Sequence, residues 1–246
     1  MIAHDANIFA DWPEVRRYRV GAVQFANASQ QVTIINVNRT PIEETLGTDL
    51  LYYHHQYRSF VLVQYKRMLG EASGSQSYRP NTDNAYQKEI NRMRSFQHAL
   101  PDSTGRDPVQ QYRLHPGAFY FKLCPVTDFE PLSSALIEGM YLPLDYWQSL
   151  LDSNRAIGPR GGVAVTRENA GRHLNNTMFS YLVEHGWIGS RSEPTQKLEE
   201  LVGELLSQGR SLLLADGRNC AVRATEPEGQ ASLFPVDYPQ LKRKKK

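Results

Sequence analysis

Asp49, Gln64 and Lys66 carry the side chains best suited to chemistry: a carboxylate, an amide and an ammonium on two neighbouring strand-like runs. Thr48–His54 and Ser59–Lys66 are β-branched and aromatic, and the polar loop His55-Gln56-Tyr57-Arg58 between them predicts an antiparallel hairpin. With His54 facing Ser59, Asp49 falls opposite Gln64. Period-2 alternation places Phe60, Leu62, Gln64 and Lys66 on one face. An ammonium at the end of that apolar face is costly to bury unpaired, and Asp49 is placed to pair with it. The same carboxylate, with nearby oxygens, suits a divalent cation. Mg²⁺ takes one or two carboxylates and completes its shell with water and substrate phosphate oxygens.

The surrounding chain supplies elements to position these groups. Val20–Phe25 and Val32–Val37 read as strands, and Pro41–Leu46 as a short helical turn with Pro41 at its first position. Leu69–Arg79 is rich in Gly and Ser. A helix is expected from Thr82 or Asp83 as N-cap to about Leu100, its stripe formed by Tyr86, Ile90, Met93, Gln97 and Leu100. Gly117–Cys124 reads as a further strand. Beyond it, helices are expected over Pro143–Leu151, Arg167–His185 (ended by Gly186) and Pro194–Gln208, then a strand over Ser211–Ala215. This divides the chain into a core at 1–125, a mainly helical extension at 126–225 and a tail at 226–246.

Composition narrows the classes. The chain has 246 residues, 28 Lys+Arg and 26 Asp+Glu, but five of the cations are Lys242, Arg243, Lys244, Lys245 and Lys246. A mildly acidic body with a basic end is not a protein coated all over in positive charge. Cys124 and Cys220 cannot form a disulfide framework and lack metal-ligand spacing. Apolar runs reach strand length, short of the ~20 residues of a membrane span, and Met1–Asp5, with no basic start and no apolar run after it, gives no expectation of a signal peptide. A soluble cytoplasmic protein is the expectation, with no membrane partner.

Gly47-Thr48-Asp49, followed after fourteen residues by Gln64-Tyr65-Lys66, resembles the active-site hairpin of the PD-(D/E)XK nucleases. It is closest to the Mrr-like and archaeal-resolvase-like branch, in which Gln replaces the second acid. The order of hairpin, helix and strand that follows is also that family's. The resemblance implies an α/β fold with a restriction-endonuclease-like mixed sheet flanked by helices. It implies Mg²⁺, with Mn²⁺ as substitute, held by Asp49 and by Gln64 through a side-chain or backbone oxygen. Lys66 would orient the attacking water and stabilise charge developing on the phosphate. A Glu from an upstream helix completes the family's metal site. Glu14 qualifies by distance along the chain and Glu43 or Glu44 by proximity to Asp49, and the sequence leaves the choice open.

The implied activity is hydrolysis of phosphodiester bonds, with DNA the favoured substrate, in restriction, repair or anti-phage defence. A partner protein or ATPase would supply recognition, and double-strand cleavage with one site per chain would call for a homodimer. Residues 58–113 hold nine Lys/Arg against Glu71, Asp83, Glu89, Asp102 and Asp107. Arg58, Arg67, Arg79, Lys88 and Arg92 are therefore the candidate phosphate-backbone contacts. The rival from another class is a catalytically inactive subunit that keeps the fold as a nucleic-acid or protein-binding scaffold.

Other motifs contribute less. His54 and His55 lie in the hairpin turn, where bystander histidines are common. Tyr52, Tyr53, Tyr57 and Tyr65 suit base stacking or the packing of a half-buried sheet. Gly158-Pro159-Arg160-Gly161-Gly162 lacks the Lys-Ser/Thr ending of a Walker A loop. Gln230-Ala231-Ser232-Leu233-Phe234 resembles the bacterial sliding-clamp-binding pentamer, with Gln230, Leu233 and Phe234 as its docking side chains.

Overall fold

A computed structural model describes residues 14–17, 21–70, 75–99, 107–126, 137–158, 161–191 and 195–204. The expected strand at Ser211–Ala215 and the tail, with its clamp-like pentamer, lie outside the described residues.

Six strands form the body of one mixed sheet, and a four-residue edge strand makes a seventh. In chain order they are β1 (Glu14–Arg17), β2 (Ala22–Ala26), β3 (Gln31–Asn36), β4 (Leu50–His54), β5 (Ser59–Arg67), β8 (Phe119–Cys124) and β9 (Met140–Pro143). They lie side by side in that order. A separate two-stranded ribbon joins β6 (Leu69–Gly70) to β7 (Gln76–Ser77). All neighbours in the main sheet are antiparallel except β5 and β8, which run parallel. A parallel pair requires a crossover, and the helix α2 (Tyr86–Ala99) supplies it. β5 is buried on both faces, as are β4 and β8: eight of its nine residues, Ser59 to Lys66, are buried, which explains its nearly continuous apolar run.

Helices cover both faces. On one, Leu51, Tyr53, Phe60, Leu62, Phe119 and Phe121 pack in a core with three helices. These are α1 (Pro41–Leu46) through Ile42 and Leu46, α2 through Tyr86, Ile90 and Met93, and α3 (Leu144–Asp152) through Trp147 and Leu150. On the other face, α4 (Asn176–Glu184) buries Phe179 and Val183 against Leu50, Tyr52, Val61 and Val63. Phe179 stacks on Tyr141 at 3.8 Å. β9 and α3 build directly onto the sheet and its core. The division expected at residue 125 therefore marks no break in the fold.

Two expected helices start later than their patterns suggest. Pro80–Thr82 makes a 3₁₀ turn and Asp83 is extended, so α2 begins at Tyr86. The helix expected from Arg167 begins at Asn176, because Gly171 takes a left-handed φ of 70° and Asn175 caps the start. The Asn175 side chain accepts the Met178 N–H at 2.8 Å. Gly186 ends that segment with φ 64°, as its position predicts.

Candidate active site

The hairpin register is the one the sequence predicts: His54 pairs with Ser59 and Leu50 with Val63. Asp49 precedes β4 by one residue, and its N–H still bonds the Val63 carbonyl at 2.9 Å. Its carboxylate Oδ2 accepts the Tyr65 N–H at 2.8 Å, in the place a strand carbonyl would take had β4 started earlier. Gln64 and Lys66 point to the α2 face, continuing the row of Phe60 and Leu62. All three side chains are nearly enclosed, at 6 % (Asp49), 4 % (Gln64) and 6 % (Lys66) exposure.

A further carboxylate meets these groups, and it comes from downstream. Glu89 sits one turn into α2, on the same stripe as Tyr86, Ile90 and Met93. It accepts hydrogen bonds from Lys66 Nζ and from Gln64 Nε2, the latter at 3.4 Å. Lys66 Nζ also donates to Asp83 Oδ2 at 2.7 Å, and Tyr78 Oη donates to that same oxygen at 2.8 Å. One buried oxygen among these groups, Gln64 Oε1, has no hydrogen-bond partner.

Gly47 lets the two helices meet here. Its φ of 69° ends α1, and a Cβ on it would lie 2.7 Å from the Glu89 carbonyl oxygen. Either feature demands glycine, and together they bring the chain just before Asp49 against the backbone of Glu89.

Charge in the cluster is unbalanced towards acid. Burial pushes the Asp49 carboxyl up to about 7; the hydrogen bond from Tyr65 and the charge of Lys66 oppose the rise, while Glu43 and Glu89 reinforce it. Burial likewise raises Glu89, against the pull of Lys66. Burial would raise Asp83 too, but the hydrogen bonds from Lys66 and Tyr78 outweigh it and hold that carboxyl below its usual range. One ammonium thus serves several carboxylates, an environment that favours an added cation.

The expected third carboxylates are placed differently. Glu14 lies on β1, three strands from β4 and so ~14 Å away across the sheet, and does not join the cluster. Glu44 is exposed on α1. Glu43 is half-buried and bonds the Arg39 N–H; it reaches Asp49 through its charge rather than by contact. Glu89 was legible in principle, as an acid on an otherwise apolar helical stripe.

Among the phosphate-contact candidates, Arg67 and Lys88 are exposed, while Arg79 and Arg92 are half-buried. Arg67 directly follows Lys66. Arg58 sits at the other end of the hairpin, where it pairs with Glu199 of the helix over 195–204, and Tyr53 Oη shares that carboxylate. It is therefore committed to packing this helix onto the hairpin. His54 and His55 are structural as well: their Nε2 atoms meet the Glu184 carbonyl at 2.7 Å and Thr33 Oγ1 at 2.8 Å.

No protein-family model matches this chain, no curated protein matches it, and no solved structure matches it. Among the described residues no helix is long and apolar enough to cross a membrane. Also among them, no three His, Cys, Asp or Glu side chains are gathered so as to hold a metal by themselves. The donor set that does exist is two carboxylates, Asp49 and Glu89, plus the unpartnered Gln64 Oε1. An all-oxygen set with a low ligand count fits Mg²⁺, which retains several waters, and does not fit Zn²⁺.

Proposed function

We propose that this chain is a Mg²⁺-dependent nuclease with a restriction-endonuclease-like core, acting on phosphodiester bonds of DNA. The observation that carries the reading is the meeting of Asp49, Gln64, Lys66 and Glu89 at one end of a hairpin, with a buried amide oxygen left unpartnered. Leaving Gln64 Oε1 without a partner costs about 1–3 kcal/mol unless something binds it.

Asp49, Glu89 and Gln64 Oε1 would hold the cation. When bound, Mg²⁺ would polarise a phosphoryl oxygen and acidify a water. Lys66 Nζ, a three-donor ammonium, orients that water and neutralises charge growing on the phosphate oxygens. In the hydrolysis a water oxygen bonds to phosphorus as the bond to the leaving oxygen breaks. The water yields one proton to solvent, the leaving oxygen takes one up, and a phosphomonoester and an alcohol result. Arg67, Lys88 and Arg92 offer positive charge near the site for the flanking phosphates.

One observation favours the inactive-scaffold reading: Lys66 contacts Glu89 directly and so occupies ground a cation would need. A cleavage assay on duplex and single-stranded DNA with Mg²⁺ or Mn²⁺ separates the two. The nuclease reading expects metal-dependent cutting that falls at least ~10²-fold in each of Asp49→Ala, Lys66→Ala and Glu89→Gln. DNA binding without cutting, indifferent to all three substitutions, supports the scaffold instead.

A further inference from the structure

Lys66 is held by two carboxylates of unlike character. Glu89 is buried, is shared with Gln64 and acts on Asp49 through its charge, so it belongs to the group that would receive a cation. Asp83 lies to the outer side, with its side chain 24 % exposed. Its bonds run elsewhere. Oδ1 accepts the Ala85 N–H at 3.0 Å, and Oδ2 accepts both Lys66 Nζ at 2.7 Å and Tyr78 Oη at 2.8 Å.

Tyr78 is fixed in turn. Its N–H and carbonyl both pair with Val165 at 2.8 Å, and its ring packs against Tyr86 and Trp147 with centroids 6.3 and 5.9 Å away. Tyr78, which holds Oδ2, is therefore anchored to α2, to α3 and to the strand-like bridge at Val165, and Ala85, which holds Oδ1, directly precedes α2.

We infer that Asp83, locked by Tyr78, is the positioning residue for Lys66 in the nuclease reaction proposed above. A cation taking the Glu89 carboxylate removes one of the two partners of the ammonium. Asp83 keeps the other, so Nζ stays at the site with its remaining N–H groups turned to the water and the phosphate. Without Asp83 a four-carbon side chain released by Glu89 has several rotamers open to it, and the productive one is thinly populated. The role rests on the nuclease reading.

Two measurements on the full-length protein test it. The first is single-turnover DNA cleavage at saturating Mg²⁺, alongside Mn²⁺ affinity by electron paramagnetic resonance. Asp83→Ala should slow cleavage by about 10²-fold and Tyr78→Phe by several-fold. Asp83→Asn, which retains an accepting oxygen, should recover part of the loss. Mn²⁺ and DNA affinities should stay within about twofold of wild type in all three, since neither residue is assigned to metal or DNA. Loss of Mn²⁺ affinity in step with rate would overturn the assignment.

The second measurement needs no turnover: the ¹⁵Nζ resonance of Lys66, with and without Mg²⁺. An exchange-protected signal should persist in wild type when Mg²⁺ is added, persist in metal-free Glu89→Gln and vanish in Asp83→Ala. The reverse order, or no protected signal in wild type, overturns the inference. Wild type that cleaves, with Asp83→Ala equally fast, overturns this role and spares the nuclease reading. Wild type that does not cleave overturns both.

Discussion

Asp49→Asn removes a charge that the fold itself resists, and the substitution should make the protein more stable. Asp49 is 6 % exposed, and burial lifts its carboxyl from 3.8 to about 7. Between those values the folded chain keeps a proton that the unfolded chain has released. Unfolding then sheds a proton, so stability falls as the pH climbs through this window, the opposite of the usual surface aspartate. About three pH units at 1.36 kcal/mol each amount to about 4 kcal/mol once the group is fully ionised. Asparagine retains an oxygen for the Tyr65 N–H and carries no charge.

The expected gain is about 2–4 kcal/mol at pH 8, shrinking to near zero at pH 4. Urea unfolding followed by the fluorescence of the fully buried Trp147 reads it directly, with an unchanged slope showing that the folded and unfolded states are otherwise comparable. On the metal role proposed above, Mg²⁺ should stabilise wild type at pH 8 and leave Asp49→Asn unmoved, since a ligand that binds only the folded state of one variant stabilises that variant alone. A variant less stable than wild type at pH 8, or a gain of equal size at pH 4 and pH 8, would refute the reasoning.

Other expectations follow from the same geometry. Gly47→Ala should cost more than 2 kcal/mol, since it combines a left-handed φ with a Cβ 2.7 Å from a backbone oxygen. Gly161→Ala, with φ +78° and open space around it, should cost only ~1–2 kcal/mol; equal shifts in the urea midpoint would contradict the contrast. His54 should stay neutral down to about 4, because burial opposes its charge. Nε2 already donates to the Glu184 carbonyl and Nδ1 accepts the Tyr57 N–H, so the ring has no place for a second proton. The unfolded chain binds that proton near 6.5, so this residue withdraws stability as the pH falls from there to about 4. An imidazole titration by NMR with a midpoint above 6 would contradict it.

The hairpin was legible because its signals agree: two β-branched runs, a short polar loop, and an alternation that admits one register. From that register alone Asp49 faces Gln64, and Lys66 follows on the same side. Pro41 marked the start of α1 equally well, since its fixed φ suits the first helical position. The third carboxylate was not legible in the same way. Glu14 lies on β1, three strands from β4, and Glu44 is exposed on α1, whereas what brings Glu89 in is the packing of α2 across β5, a tertiary fact. Periodicity read the stripe of α2 through its apolar members and passed over the acid among them. Asp83 was read as a helix cap, and its Oδ1 does hold the Ala85 N–H; its second oxygen faces Lys66, which no local pattern records. The helix at 176–184 shows the other kind of limit, where Gly171 and Asn175 cut short a pattern that propensity would have let run.

The parallel pairing of β5 with β8 also sets the order in which the cluster can come into being. A hairpin closes over a short loop, so Asp49, Gln64 and Lys66 can meet early and locally. The parallel neighbour closes a far longer loop, from Arg67 round to Phe119, and non-local closures of that kind are slow. Glu89 and Asp83 ride on that loop. A half-folded chain therefore displays an unmatched lysine, and on the nuclease reading proposed above DNA cleavage would report that this non-local part of the sheet has closed.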